Sequence, residues 1–283
     1  MAACLSADGS SAQPAAAAHR VKSLLLNGKP VAEDALGALA LVNYGHYTTM
    51  QVRGGSVQGL GLHRQRLESA TLELFGSALD YEQVRGQMRQ AVAARPDCSL
   101  RVTVFSSRFD YRQPAGNFAV DVLLAAAPAS RPVPHPSRVK SYRFARTLPH
   151  IKHVGTFPLF HHRRLALQAG CDDALFVDQS GAISEGSVWN VGFIRDGAVV
   201  WPNAPALGGT AAQLLHVALA GQGLRQEVRE VRLGELALCE AAFACNSTGV
   251  WPIGEIDGVG FDTSGEWQPT LQAALASHAW ETI

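Results

Sequence analysis

The spacing of apolar positions changes along the chain, and the changes predict a sheet first and helices after it. Leu24, Leu25 and Leu26 run into Asn27-Gly28, a tight-turn pair, and continue through Lys29-Pro30-Val31, which reads as strand, turn, strand from residue 21 onward. Residues 38–60 carry a second hairpin, turned at Gly54-Gly55. Leu62, Leu67, Ala70, Leu74 and Phe75 then recur on one helical stripe that stops at Gly76, and Val84, Met88 and Val92 mark another helix over 81–93. Strands are predicted at 100–105 and 118–124, on either side of a polar loop, Ser-Ser-Arg-Phe-Asp-Tyr-Arg-Gln-Pro-Ala-Gly, at 106–116.

Pro128, Pro132, Pro134 and Pro136 make a long regular element across that stretch improbable, so a domain boundary is expected near residue 137. Beyond it the pattern predicts an extended basic stretch, a helix at 158–169, a hairpin at 174–186 and a strand at 189–194. A helix at 211–223 follows Gly208-Gly209, with strands near 226–231 and 241–244. The expected organisation is a tail over 1–20 without a repeating apolar face, an N-terminal unit at 21–137 and a C-terminal unit at 138–283. The fold class is α+β, mixed sheets with flanking helices. Gly54 to Gly61 follows a turn rather than a strand entering a helix, so it does not read as a nucleotide loop.

Charge narrows the partners. In 283 residues, 24 Lys+Arg balance 24 Asp+Glu, which leaves no global field to draw in nucleic acid or an anionic membrane. Only 17% of the residues are charged, against about 25% in ordinary soluble domains, which suggests a surface covered by a second copy. Five scattered cysteines signal neither a disulfide framework nor a zinc site, and no metal is expected. The first residues lack a basic start leading into a long apolar run, and no stretch is long enough to cross a bilayer, so a cytoplasmic protein is expected.

Only four lysines occur, Lys22, Lys29, Lys140 and Lys152, so lysine-based covalent chemistry has four candidates. A coding bias towards arginine explains the scarcity but does not select which lysines remain. Taken alone, Lys152 is a solvent-facing lysine near a helix start, Glu185 a surface carboxylate after a hairpin, and Arg66 one more arginine on an amphipathic helix.

The wider pattern changes this reading. Lys152 is followed by a helix ending in Ala169-Gly170, then by Asp172-Asp173-Ala-Leu-Phe-Val-Asp178, Ser184-Glu185-Gly186, a strand containing Asn190, and Ala-Cys-Asn-Ser-Thr-Gly-Val-Trp-Pro-Ile over 244–253. Over residues 24–256 this order resembles the fold-type IV pyridoxal-phosphate enzymes, which include branched-chain aminotransferases, D-amino-acid aminotransferases and 4-amino-4-deoxychorismate lyases. The resemblance implies two domains with the site at their interface and pyridoxal 5'-phosphate as cofactor. It makes Lys152 the Schiff-base lysine and proton shuttle, Glu185 the carboxylate facing the pyridine nitrogen, and Arg66 the clamp on the phosphate. The resemblance also implies that the backbone of Gly209, Thr210 and Ala211 receives the phosphate, that the Ser247 hydroxyl reaches the phosphate or substrate side, and that Asn190 positions the surrounding loop. Tyr47, Thr49, Arg108, Tyr111 and Arg112 are the substrate-side candidates. Members of the class commonly lend such a loop to the neighbouring subunit, which implies a homodimer.

Departures from the pattern bear on the reaction. Val42-Asn43-Tyr44-Gly45-His46-Tyr47 lacks the usual aspartate, Phe157 stands where branched-chain aminotransferases place a tyrosine, and Ala212 replaces an arginine of the phosphate segment. The 245–253 stretch and Thr48-Thr49 lean towards the lyases. The expected function is an aminotransferase moving an amino group between an amino acid or amine and a 2-oxo acid. The alternative is a 4-amino-4-deoxychorismate lyase releasing pyruvate and 4-aminobenzoate, and a relative that has lost turnover is a third reading.

Overall fold

The computed structural model describes residues 23–31 and 36–283; the expected tail over 1–20 and Lys22 lie outside the described residues. Asn27 and Gly28, both at positive φ, turn β1 (Ser23–Leu26) into β2 (Lys29–Pro30). With β3 (Gly45–Val52), β5 (Cys98–Phe105) and β6 (Asp121–Pro128) they form an antiparallel sheet in the order β2-β1-β6-β5-β3. The Gly54-Gly55 turn leads from β3 into β4 (Ser56–Gln58). Even-numbered Met50 and Val52 of β3 join Leu100, Val102 and Val104 in a core closed by Leu67 and Phe75 of α2 (Leu60–Phe75) and Met88 of α3 (Tyr81–Val92). By the two-residue repeat of a strand, Tyr47, Thr49 and Gln51 then face away from those helices.

Local differences from the sequence pattern have local causes. The first residues of the expected second hairpin, 38–42, belong instead to a short helix, α1 (Gly37–Val42), because an Ala/Leu run favours helix and Asn43 ends it in the left-handed region, and the hairpin itself begins with β3. Gly76 takes the same left-handed cap at the end of α2, as expected, with its N–H on Leu72 O. Phe118 does not enter β6, because its N–H is committed to Phe75 O at 2.9 Å and its ring to Phe109.

The second sheet runs β12 (Gln226–Arg229), β11 (Ala198–Pro202), β10 (Asn190–Arg195), β13 (Ala241–Asn246), β14 (Gly249–Ile256), β7 (Ser137–Arg143), β8 (Asp173–Val177) and β9 (Ile183–Gly186), with β15 (Val259–Gly260) on β14. Pairings β11/β12, β14/β7 and β7/β8 are parallel and the others antiparallel. β9 and β10 stand far apart in this order, yet only residues 187–189 separate them and Gly186 N–H reaches Trp189 O at 2.8 Å. The sheet therefore curls on itself into an open barrel, packed by α4 (Phe157–Gln168), α5 (Thr210–Gly221) and α6 (Trp267–Ala276). β11 and β14 were not predicted; in β14, Pro252 and Gly254 read as breakers, yet Pro252 pairs with Phe243 of β13 ahead of the β7 pairing, and a register shift between Ile253 and Glu255 accommodates Gly254.

Residues 129–136 form no regular element, as the prolines require, and Ser130 ties them to β3 through Gln51 Oε1 and Arg53. The last strand, β16 (Trp280–Thr282), returns to pair with β4. Among the described residues no helix is long and apolar enough to cross a membrane, and no group of three or more His, Cys, Asp or Glu is arranged to hold a metal ion.

Candidate active site

β3 is the edge strand of the first sheet, and its free edge is taken up by the segment that carries Lys152. Tyr47 N–H donates to Lys152 O and Val154 N–H to Gly45 O, both at 2.9 Å. This pairing sets the lysine between the two sheets, with Nζ 5.0 Å from the centre of the Tyr47 ring. A cavity of about 200 Å³ opens there. Tyr47, Thr49 and Arg101 line it from the first sheet, Arg66 from α2, and Arg146 and Lys152 from the connection ahead of α4. Glu185, Asn190, Leu207, Gly209, Thr210 and Ser247 line it from the barrel side.

Burial, reinforced by the Arg66 and Arg146 charges and opposed by Glu185, brings the Lys152 ammonium down from 10.5 to about 7. Its neutral amine is therefore populated where exposed lysines are almost wholly protonated. In the cofactor-free protein, reductive methylation of Lys152 should switch on with a midpoint near pH 7, below which the amine is protonated and unreactive; peptide mass spectrometry across a pH series reads this directly.

Glu185 closes β9, and its Oε1 accepts from Arg146 Nε at 2.9 Å while Oε2 faces Leu207 N at 3.4 Å. Burial pushes its carboxyl above the usual range, against the pull of Arg146. Arg66 donates to Gly208 O at 2.7 Å and, more weakly, to Thr48 Oγ1 at 3.4 Å. Burial takes its guanidinium down to about 10, with Tyr47 opposing and Arg146 adding, so it keeps its charge at neutral pH. Thr48 Oγ1 also meets the Nδ1 of buried His63 at 2.6 Å, and His63, pushed by burial to about 3, stays neutral.

Opposite Arg66, α5 begins at Gly209 with no side chain capping its first turn, which leaves backbone N–H groups for an anion. Asn190 Nδ2 holds this segment by Leu207 O at 2.7 Å, and any Cβ on Gly209 would run into Asn190 Oδ1. The donor set around one cavity thus offers Arg66 and free helix amides for a phosphate, a buried carboxylate and an amine, which fits a phosphorylated pyridine aldehyde.

Of the residues anticipated from sequence, Lys152, Glu185, Arg66, Gly209, Thr210, Ser247, Tyr47 and Thr49 meet at this cavity, and Ala211 lies next to it in the first turn of α5. Arg108, Tyr111 and Arg112 do not line it in this chain: Tyr111 is 60% exposed and Arg112 stacks on it at 4.7 Å. Phe157 starts α4 with its ring 76% exposed and stacked on His161, so no hydroxyl replaces the missing tyrosine there. Arg101 and Arg146 were not anticipated. Arg101 had a signal, since alternation in Leu-Arg-Val-Thr-Val turns it away from the core, and it pairs with Thr49. Its guanidinium lies 3.6 Å from the Tyr47 ring centre and its Nε donates to Thr103 Oγ1.

A curled mixed sheet and a smaller antiparallel one, with a buried lysine on the strand edge between them, define a fold-type IV enzyme. The chain belongs to the class IV amino-transferase family, whose model matches residues 45–256. A branched-chain-amino-acid aminotransferase of Pseudomonas aeruginosa is 29% identical over 113 residues, 38% of this chain and 37% of that protein. The structure of 4-amino-4-deoxychorismate lyase from Pseudomonas aeruginosa is similar over 89% of this chain and 97% of that one, with 26% identity and a TM-score of 0.76. The branched-chain aminotransferase from the thermophilic archaeon Thermoproteus uzoniensis, solved with norvaline, is similar over 89% of this chain and 92% of that one, with 19% identity and a TM-score of 0.78.

Proposed function

We propose that this chain is a pyridoxal 5'-phosphate-dependent aminotransferase that moves an amino group between an amino acid or amine and a 2-oxo acid. The observation that carries the reading is Lys152, docked on the edge of β3 inside a cavity ringed by Arg66, Arg101, Arg146 and Glu185, where burial brings its ammonium down to about 7. When bound, pyridoxal 5'-phosphate supplies a carbonyl that condenses with amines and a ring that accepts the electron pair released at the substrate carbon. Arg66, the first-turn amides of α5 and Ser247, which line the cavity, would hold its phosphate, and Glu185 would face its pyridine nitrogen.

Lys152 would supply the amine that holds the cofactor, and its free amine would serve as the base that moves the proton at the substrate carbon. Of the three arginines, Arg66 faces the phosphate segment and Arg146 is neutralised by Glu185. Arg101, held flat on Tyr47, is the guanidinium left for a substrate carboxylate. One free arginine suits an amino acid and oxo acid with a single carboxylate near the reacting carbon. In a homodimer, the exposed loop with Arg108, Tyr111 and Arg112 is the segment available to the neighbouring site. A cytoplasmic location goes with this reading.

A second reading, 4-amino-4-deoxychorismate lyase, is favoured by the 26% identity along most of the chain and by Thr49 on the cavity wall. The two separate in one assay. Amino acid alone should bleach the visible band of the holoenzyme, and pyruvate or 2-oxoglutarate should restore it. Pyruvate release from 4-amino-4-deoxychorismate without an acceptor, and no response to amino acids, would replace the aminotransferase by the lyase.

A further inference from the structure

Arg146 is the arginine of the cavity for which the reaction above has no task. It is buried, as is its partner: the side chains of Arg146 and Glu185 are 3% and 4% exposed, and Nε meets Oε1 at 2.9 Å. The other groups facing Glu185 are the Leu207 N–H, at a long 3.4 Å, and the Lys152 amine. Arg146 in turn faces Arg66, Lys152 and His153, all cationic or neutral, so Glu185 is its counter-ion among the described residues. A carboxylate this far from water and without a cation takes up a proton instead of staying ionised. As a neutral acid it no longer balances a protonated pyridine.

We propose that Arg146 is a positioning residue that keeps Glu185 ionised and aimed at the cofactor, so that the pyridine nitrogen retains its proton. The proposal rests on the cofactor reading above, and half of its test needs no cofactor. In cofactor-free protein labelled with [δ-13C]glutamate, the Glu185 resonance is assigned by its loss in Glu185→Gln and followed against pH. Arg146→Met should raise its titration midpoint by roughly one to three pH units, and Arg146→Lys, which restores a cation, should bring most of it back. Should Arg146→Met fail to fold, Arg146→Gln keeps a hydrogen-bond donor without the charge and makes the same comparison.

In holoenzyme loaded with cofactor carrying 15N in the ring, the wild-type signal should be that of a protonated nitrogen. It should move towards the unprotonated position in Arg146→Met and return in Arg146→Lys. An arginine that only braces its loop would move neither signal. An unchanged carboxylate midpoint overturns the proposal, and so does a shifted midpoint with an unchanged 15N signal. Failure of the cofactor reading looks different: wild-type protein takes up no pyridoxal phosphate, and the carboxylate titration alone then decides whether Arg146 holds the charge on Glu185.

Discussion

Lys152→Ala should yield a folded protein that shows no visible absorbance on incubation with pyridoxal phosphate and turns over at least about 10⁴-fold more slowly than wild type. The size follows from the two tasks proposed for the side chain, since the substitution would remove both the amine that holds the cofactor and the base that moves the proton. No other described lysine can take over. Lys29 lies in exposed β2 and Lys140 on the exposed side of β7, and neither lines the cavity. The fold should persist, because the pairing that docks this segment uses the Lys152 carbonyl and not its side chain. A small added amine should restore part of the proton transfer. Retention of the visible band in Lys152→Ala would move the chemistry to another residue.

Glu185→Ala should destabilise the cofactor-free protein by about 3–5 kcal/mol, because it leaves the Arg146 guanidinium buried without its counter-ion. The pair is dry on both sides, so solvent cannot screen the orphaned charge as it would on the surface. Glu185→Gln should cost less, since its carbonyl oxygen still accepts from Arg146 Nε. The double variant Glu185→Ala/Arg146→Met should recover most of the loss, because the two residues act as a unit. Urea unfolding of the four proteins measures all of this. A Glu185→Ala loss within about 0.5 kcal/mol, the range of an ordinary surface substitution, would mean the ion pair is not as buried as described.

Much of the scaffold was legible because local chemistry and the final fold agree. Asn27-Gly28, Gly54-Gly55 and Gly76 mark turns and a helix end by residue type alone, and the apolar stripes of α2 and α3 are regular. Elements were missed where long-range pairing decides. β16 is a strand because it meets β4, and β14 carries Pro252 at a position that pairs with β13 but lies ahead of the pairing with β7. The site divides in the same way. Lys152, Glu185 and Arg66 were singled out through the order of motifs along the chain and line one cavity, yet nothing local to Lys152 reveals its burial, which comes from docking on the edge of β3. Arg101 was available to anyone reading alternation along β5, where it is the charged residue among Leu100, Val102 and Val104. Arg146 carries no such mark; its role appears only once β9 brings Glu185 against it.

The central claim is that Lys152 is the residue that joins the cofactor. Borohydride reduction of the protein after incubation with pyridoxal phosphate, followed by proteolysis and mass spectrometry, tests it most directly. A phosphopyridoxyl group is expected on the peptide containing Lys152 and on no other; a group fixed on Lys22, Lys29 or Lys140 instead, or on no lysine at all, would rule Lys152 out as the joining residue.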